Sequence, residues 1–541
     1  MVKYRKITTD IAIIGGGLTG TVAAFELAKA GMKVTVIRDG RGASPHVAGF
    51  NVAGVEDGDN ISIFAEDTKE SANGQSDPAL VDILCTGSAE LPEYLKTIGF
   101  AFDTDSEGTL KARKSLGSSF ARVVGKGNSS GAEILSIIDR DLKQRKNVSI
   151  LDKARALRLF QKNGHIAGVL IYEKQSDSFA VIEAPRVLLA SGGYAGIFPF
   201  TSNSKDISGD TVAMALLAGA HATDLEFVQF EPSCAVWPES IRGKGMITTL
   251  FYEGAVLTNS QGERFMLSHS PRGEQVNKDV LAKAIAKELR EGRETPHGGV
   301  WFDASGVNSE RMLSAYAPFV ERYRNVGIDL LSQPVEVANA AHTSLGGVKV
   351  NSRCETNISG LYAAGEALGN LHGANRIGGS AGTETLVFSR CVAAAIQSET
   401  NCSTPNVSEE DIKSLLSNGT EPQLSSERAE QIRAQAAEIL GKHLGVEREE
   451  KGLSFAVSEL ERLYFEVRES SFGAESKGLF EKLSLENLLI TAFALAKSAL
   501  LRDNSVGCHL RIDGKTPADA IYRTDARVVG STVCVSKIYK E

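Results

Sequence analysis

Residues 10–39, DIAIIGGGLTGTVAAFELAKAGMKVTVIRD, limit the fold more tightly than any other stretch of the chain. Ile11, Ala12, Ile13 and Ile14 form the short apolar run that a parallel strand needs when both of its faces are covered. The run stops at glycine. Gly15, Gly17 and Gly20 have GxGxxG spacing, which supplies a tight turn, close backbone approach to a pyrophosphate and close helix–strand contact. Leu18 and Thr19 open a helix whose bare N–H groups point at the phosphates. Val22, Phe25, Leu27 and Ala28 supply its buried side, Gly31 ends it, and Val34, Val36 and Ile37 form a second strand. The result is a βαβ dinucleotide-binding unit. The acid that holds the ribose should end the second strand, yet Arg38 stands there and Asp39 follows. Asp39 is therefore assigned the ribose, with a surface charge pair at the strand end as the alternative.

The rest of the chain sets wide bounds. Its 541 residues are enough for two to four domains, and 42% hydrophobic with 23% charged residues describes a soluble globular protein. A net charge of −8 argues against general affinity for nucleic acid. No apolar run approaches the roughly 20 residues that cross a bilayer, and no signal-peptide core precedes the first strand. These features point to a cytoplasmic protein without direct membrane insertion. The seven cysteines include no CxxC pair, so neither a disulfide framework nor a zinc or iron–sulfur site is expected.

Residues 41–60 read as a glycine-rich loop lying against the cofactor or, alternatively, as an ordinary surface loop. Residues 78–99 and 134–142 read as amphipathic helices, and short strands follow around 148–151 and 166–172. At residues 186–196, RVLLASGGYAG, a strand runs through Ala190 into Gly192 and Gly193, where backbone can approach a flat cofactor. Asp210 opens an alanine-rich helix, and an extended segment after it ends at Glu231 and Pro232. A different texture follows, with a hairpin-like Val256 to Phe265, a helix from Lys278 to Gly292 and a strand at 300–302. It reads as an inserted domain. Residues 400–425 read as a linker, 426–501 as helical and 503–541 as a mixed tail.

Collinear passages make the pattern recognisable: DIAIIGGGLTG, ASGGYAG, SGDTVAMALLAGA, LEFVQFEP, GAVLTNSQGERFM, AAHTSLGGV, GLYAAGEALGNLHGANRIGG and LENLLITAFALAKSALLR. In these passages the chain resembles the flavoprotein subunits of succinate dehydrogenase and fumarate reductase, together with L-aspartate oxidase. The resemblance implies an α/β fold: a Rossmann-like FAD-binding domain in two stretches (1–240 and 342–400), an inserted α+β capping domain (241–341), a linker (401–425) and a C-terminal helical domain with a tail (426–541). It also implies FAD as cofactor and hydride transfer between flavin N5 and a CH–CH or CH–NH bond beside a carboxylate, in a site completed by cap closure. Glu366 matches the family acid near the flavin ribityl chain, and Gly382 belongs to the glycine-rich passage suited to flavin or pyrophosphate contact.

Such chemistry needs cations to hold the carboxylate and a proton donor or acceptor opposite the flavin. His342 matches a substrate-binding histidine of the family. Arg376 matches the arginine that grips a carboxylate, a role its planar fork suits. On the residues alone, His342 can instead bond backbone and Arg376 can cap a helix. The departures are informative. The family's QFHP histidine is replaced by Glu231, the proton-donating arginine falls at Lys278, and the glutamate and arginine that feed it fall at Thr248 and Phe251. Fumarate itself is therefore not the expected substrate. Glu231 is expected to meet a donor or cation on the substrate, or else a nearby protein cation. Lys278 is expected to exchange the proton, or else to be an exposed lysine on a helix face. Ser44 falls where the respiratory enzymes carry the flavin-linking histidine, which implies non-covalent FAD. Because the chain shows no redox centre besides the flavin, a separate electron-transfer protein or quinone is expected as partner. The competing reading is a flavin-carrying electron-transfer subunit that turns over no small molecule.

Overall fold

The structure is a computed structural model that describes residues 4–399, 407–417, 423–472, 476–514 and 520–539. Five parallel strands form the central sheet, in the order Leu361–Ala363, Val187–Leu189, Ile11–Ile14, Val34–Arg38 and Val148–Asp152. Both faces are covered, so alternate residues of one strand enter different cores. Ile11 and Ile13 pack with the helices Leu18–Lys29, Pro78–Thr97, Ser130–Leu142 and Ser380–Gln397, whereas Ala12 and Ile14 pack with Met214 and Ala215 of the helix Asp210–Leu217 and with a second sheet. That second sheet takes Tyr4–Thr8 beside the strands Ser178–Glu183, His165–Glu173 and Ala154–Lys162. The strand Leu361–Ala363 joins the sheet begun by Ile11–Ile14 more than 300 residues earlier, so two separated stretches build one FAD-type domain.

Between them lies the cap. Its antiparallel sheet, ordered Val228–Ala235, Val335–Ser344, Val300–Asp303 and Val256–Thr258, packs on the helices Lys278–Arg290, Ser309–Ala315 and Ala317–Arg324. Val228–Ala235 and Val335–Ser344 lead the chain into the cap and back. The hairpin-like Val256 to Phe265 closes only its turn: Asn259 N donates to the Glu263 carbonyl at 3.1 Å and Asn259 Oδ1 accepts from Gln261 and Glu263 N–H, but the returning chain forms a 3₁₀ turn, Phe265–Ser268, and Val256–Thr258 pairs with Val300–Asp303.

The C-terminal helices Ser426–His443, Glu450–Glu469 and Ser476–Leu501 share one core with the helix Asp210–Leu217. Ser476–Leu501 has the length and composition of a membrane span, yet charged residues interrupt it and 83% of its most apolar window is buried inside the protein, as in a core helix. The expected mixed tail is a β-hairpin, Tyr522–Val529 with Thr532–Tyr539, that pairs onto Ala222–Thr223. The region read as a linker contains a helix, Glu409–Leu416, held by Ile412 and Leu416 against the second sheet; residues 400–406 and 418–422 of that region lie outside the described residues.

Candidate active site

The first βαβ turn forms one wall of a cavity of about 1050 Å³, counted with its open mouth. Gly15, Gly17, Thr19, Asp39 and Ser44 line it on one side, Ala190, Gly192 and Asp210 on another, and Thr343, Glu366 and Glu384 at the far end. Gly15 has φ of 127° and lies so close to the strand ending at Leu189 that a Cβ would overlap the Ala190 carbonyl, so only glycine lets the two loops meet here. Gly20 fills its GxGxxG role differently: its bare Cα lies against the Gly15 carbonyl and seats the helix on the strand. Leu18, Gly20, Gly193 and Gly382 support the cavity without lining it. Gly382 packs against the Gly49 carbonyl and Phe50, and Gly193 leaves room for the Ser344 hydroxyl.

Several side chains differ from the simple sequence picture. The N–H groups at the start of helix Leu18–Lys29 are not all bare, because Leu18 N donates to Ser44 Oγ at 2.9 Å. Asp39 borders the cavity and is also held by Lys174 Nζ at 2.7 Å, so it has both of the features weighed for it. Arg38 turns away to Asp152 and Asp139. Asp210 is fixed by Arg155 at 2.6 Å and by Asn487 Nδ2 at 2.8 Å. Arg155, which lines the cavity between Asp39 and Asp210, was missed because one arginine in an alternating strand carries no motif. Glu366 accepts from Ser344 N at 3.1 Å and Ser344 Oγ at 3.2 Å. Burial pushes its carboxyl pKa up, partly offset by those donors.

Beyond Thr343 and Glu366, four predicted side chains converge. His342 and Glu231 stand on paired strands, and each is beside a β-bulge. Gln229 pairs with Thr343 and Phe230 with Ala341, which leaves His342 as the extra residue. Glu231 pairs with Ala340 and Cys234 with Ala338, so an extra residue also falls where Pro232 has no N–H to donate. Bulges re-aim side chains, and these two aim toward the cap helix. That helix begins at Lys278, which is buried and donates to Glu231 Oε2. Lys278 is not an exposed lysine, and it takes the place that the sequence reading gave to a donor on the substrate.

Arg376 is held from below. Gln229 Nε2 donates to the Arg376 carbonyl at 2.9 Å and to Asn375 Oδ1 at 3.0 Å. The Arg376 guanidinium is buried, with one bond to the Ile377 carbonyl at 3.2 Å, and its Nε has no partner among the described residues. Burial lowers the Arg376 pKa, opposed by Glu384, Glu231 and Glu366. His342 is only partly covered at its surface and bonds Ser202 Oγ through Nδ1 at 2.9 Å. Desolvation, then Lys278 and Arg376, outweigh Glu231 and lower its pKa to about 3, so the imidazole is neutral. For Glu231, burial acts upward but Lys278, by charge and hydrogen bond, and Arg376 outweigh it, and the carboxylate stays ionised. Phe251 is in the cap core against Phe302, ring centroids 5.2 Å apart, and carries no proton.

Comparison with known proteins agrees with this geometry. Residues 10–381 match the FAD binding domain family model, and residues 433–539 match the fumarate reductase flavoprotein C-terminal model. The chain belongs to the FAD-dependent fumarate reductase and succinate dehydrogenase flavoprotein family. This flavoprotein is 33% identical to a subunit of fumarate reductase (CoM/CoB) from Methanothermobacter marburgensis, over 93% of its length and 94% of the relative's. It is 30% identical to L-aspartate oxidase of Streptomyces coelicolor, over 96% and 90% of the two chains. Mycobacterium smegmatis Sdh1, solved in complex with UQ1, superposes with a TM-score of 0.86 at 25% identity, covering 99% of this chain and 95% of that one. E. coli quinol fumarate reductase reaches 0.89 at 22% identity over 99% and 97%, a likeness of fold alone. FAD is the cofactor, and the glycine cradle with Arg155 and Asp39 fits a long, anionic dinucleotide.

Proposed function

We propose that this flavoprotein exchanges a hydride between flavin N5 and a small molecule bearing a carboxylate, at a CH–CH or CH–NH bond. The carrying observation is Arg376, buried with its Nε unpartnered among the described residues and close enough to the neutral His342 to act on it electrostatically, next to Thr343 of the cavity lining. Bound FAD supplies the two-electron chemistry. Arg376 grips the substrate carboxylate through its planar fork and draws electron density from the adjoining bond. Because Ser202 engages His342 Nδ1, the other ring nitrogen is left for the substrate. Lys278 holds a proton at Nζ for the substrate carbon, and Glu231 keeps the ammonium in place. The cap brings Lys278 to the strands that carry His342 and Glu231, and thereby excludes water from the bond being reduced or oxidised.

The electrons enter or leave through a separate protein or a quinone. Two comparisons support this reading: the Methanothermobacter relative is one subunit of its enzyme, and the M. smegmatis structure holds UQ1. The test is an anaerobic screen of the yellow holoprotein against carboxylic and amino acids, following flavin absorbance. Bleaching of the oxidised flavin, or recovery of the reduced flavin, by a carboxylate in wild type but not in Arg376→Gln supports the reading. Reduction only by a co-purified protein would assign the chain to electron transfer without turnover.

A further inference from the structure

Given Arg376 as the carboxylate anchor proposed above, we infer that the site is built for a substrate with a single carboxylate and rejects dicarboxylates. Two cations stand at the site, but only one is available. Lys278 is locked to Glu231, and the two side chains are 10% and 8% exposed. His342 adds no charge. Among the described residues Arg376 has no ion pair. Of the acids that act on it electrostatically, Glu384 bonds His372 Nε2 at 3.0 Å and Glu366 is occupied by Ser344. Arg242 is exposed, lies 4.5 Å from the Phe200 ring centroid and donates to the Val236 carbonyl, so it provides no buried anchor.

A second carboxylate would lie toward the cap, where it would meet Glu231. Glu231 has one oxygen on Lys278 and the other 3.4 Å from Ser233 Oγ. Two carboxylates facing each other out of water, with one ammonium between them, cannot both be satisfied. An apolar group at the same place meets no such opposition. The Glu231–Lys278 pair thus acts as a charge filter, with Arg376 reading the one carboxylate that enters.

Isosteric probes isolate this effect: crotonate against fumarate, and butanoate against succinate, each pair differing by a methyl group in place of a carboxylate. Dissociation constants are read from the flavin difference spectrum of the holoprotein under anaerobic conditions. The expected result is at least tenfold tighter binding of each monocarboxylate. Glu231→Gln frees Lys278 to take a second carboxylate, so the ratio should move at least tenfold toward the dicarboxylate. Lys278→Gln leaves Glu231 unopposed and should widen the original preference. Equal or tighter dicarboxylate binding in wild type, or an unmoved ratio in Glu231→Gln, overturns the filter while Arg376 remains the anchor. If no probe perturbs the flavin, the anchor fails and the filter with it. Should Glu231→Gln not fold, the wild-type ratio and Lys278→Gln still decide.

Discussion

Lys278 Nζ donates to Glu231 Oε2 across the seam between the cap helix and the strand that leads out of the FAD domain. The ammonium is in the first turn of its helix, where the positive end of the helix dipole disfavours a cation. A buried carboxylate opposite makes that position tolerable. One ion pair therefore does two things: it ties the cap helix to the strand that leads the chain into the cap, and it sets the charge of the site beside Arg376.

Breaking the pair from one side should be worse than removing it. Glu231→Gln strands a buried ammonium, and a loss of about 3–5 kcal/mol is expected. The double variant Glu231→Gln with Lys278→Met removes both charges and should regain most of that. Thermal unfolding of the FAD-loaded proteins checks the order: wild type, double variant, then single variant.

Arg376→Lys keeps the charge but loses the fork. A lysine ammonium cannot make two parallel bonds to one carboxylate, so kcat/KM should fall at least ~10-fold, since a hydrogen bond to a charged group is worth about 1.5–3 kcal/mol. FAD content, measured from the ratio of flavin to protein absorbance, should be unchanged, because Arg376 does not line the cofactor cavity.

The cofactor half was legible because its signals are local. Gly15, Gly17 and Gly20 are three residues within one turn, and the unbroken apolar run Ile11 to Ile14 states directly that both faces are buried. The substrate half needed more. That Glu231 meets Lys278 depends on a 47-residue excursion through the cap, and that His342 leaves the ladder depends on a bulge fixed by pairing across two distant strands. Pro232 was the one residue whose chemistry hinted at either bulge. Asn259 marks the turn in the hairpin-like segment, because its side chain binds the N–H groups of Gln261 and Glu263, but nothing local shows that the returning chain forms no strand. The C-terminal hairpin was missed for a related reason. Its outer strand, Thr532–Tyr539, is an edge and only partly buried, so its alternation is weak.

Two glycines with positive φ separate backbone strain from cofactor contact. Gly15→Ala introduces a Cβ into the Ala190 carbonyl and should yield protein that retains no FAD. Gly31→Ala has φ of 87° but nothing within 4 Å of the new atom, so it should cost about 1 kcal/mol and stay yellow. Flavin absorbance after gel filtration distinguishes them; colourless Gly31→Ala would show that strain alone expels the cofactor.

The flavin should be released by denaturation. Ser44, at the position where the resemblance places a linking histidine, has its hydroxyl oxygen engaged by Leu18 N, and an alcohol there offers no imidazole nitrogen for attachment. After acid precipitation and centrifugation the yellow colour is expected in the supernatant. Colour kept in the pellet would mean a covalent bond.

Protonation of His342 gives stability a defined pH dependence. Its folded pKa, about 3, lies below the ordinary histidine value of 6.5, so between these limits the unfolded chain binds the extra proton. The contribution of the neutral imidazole is therefore complete above pH 6.5 and declines as the solution is acidified, by at most about 1.4 kcal/mol per pH unit. Asp224 works the other way: burial, then Glu226, raise its pKa to about 7 against Arg502, so acidification from pH 7 relieves an unfavourable charge. Comparison of wild type with His342→Gln removes this second influence, since Asp224 is common to both. Wild type should lose up to about 2 kcal/mol more than the variant between about pH 6.5 and 5, read by urea unfolding at each pH. Parallel losses in the two proteins would show that His342 titrates alike in the folded and the unfolded chain, so that its surroundings do not depress its pKa.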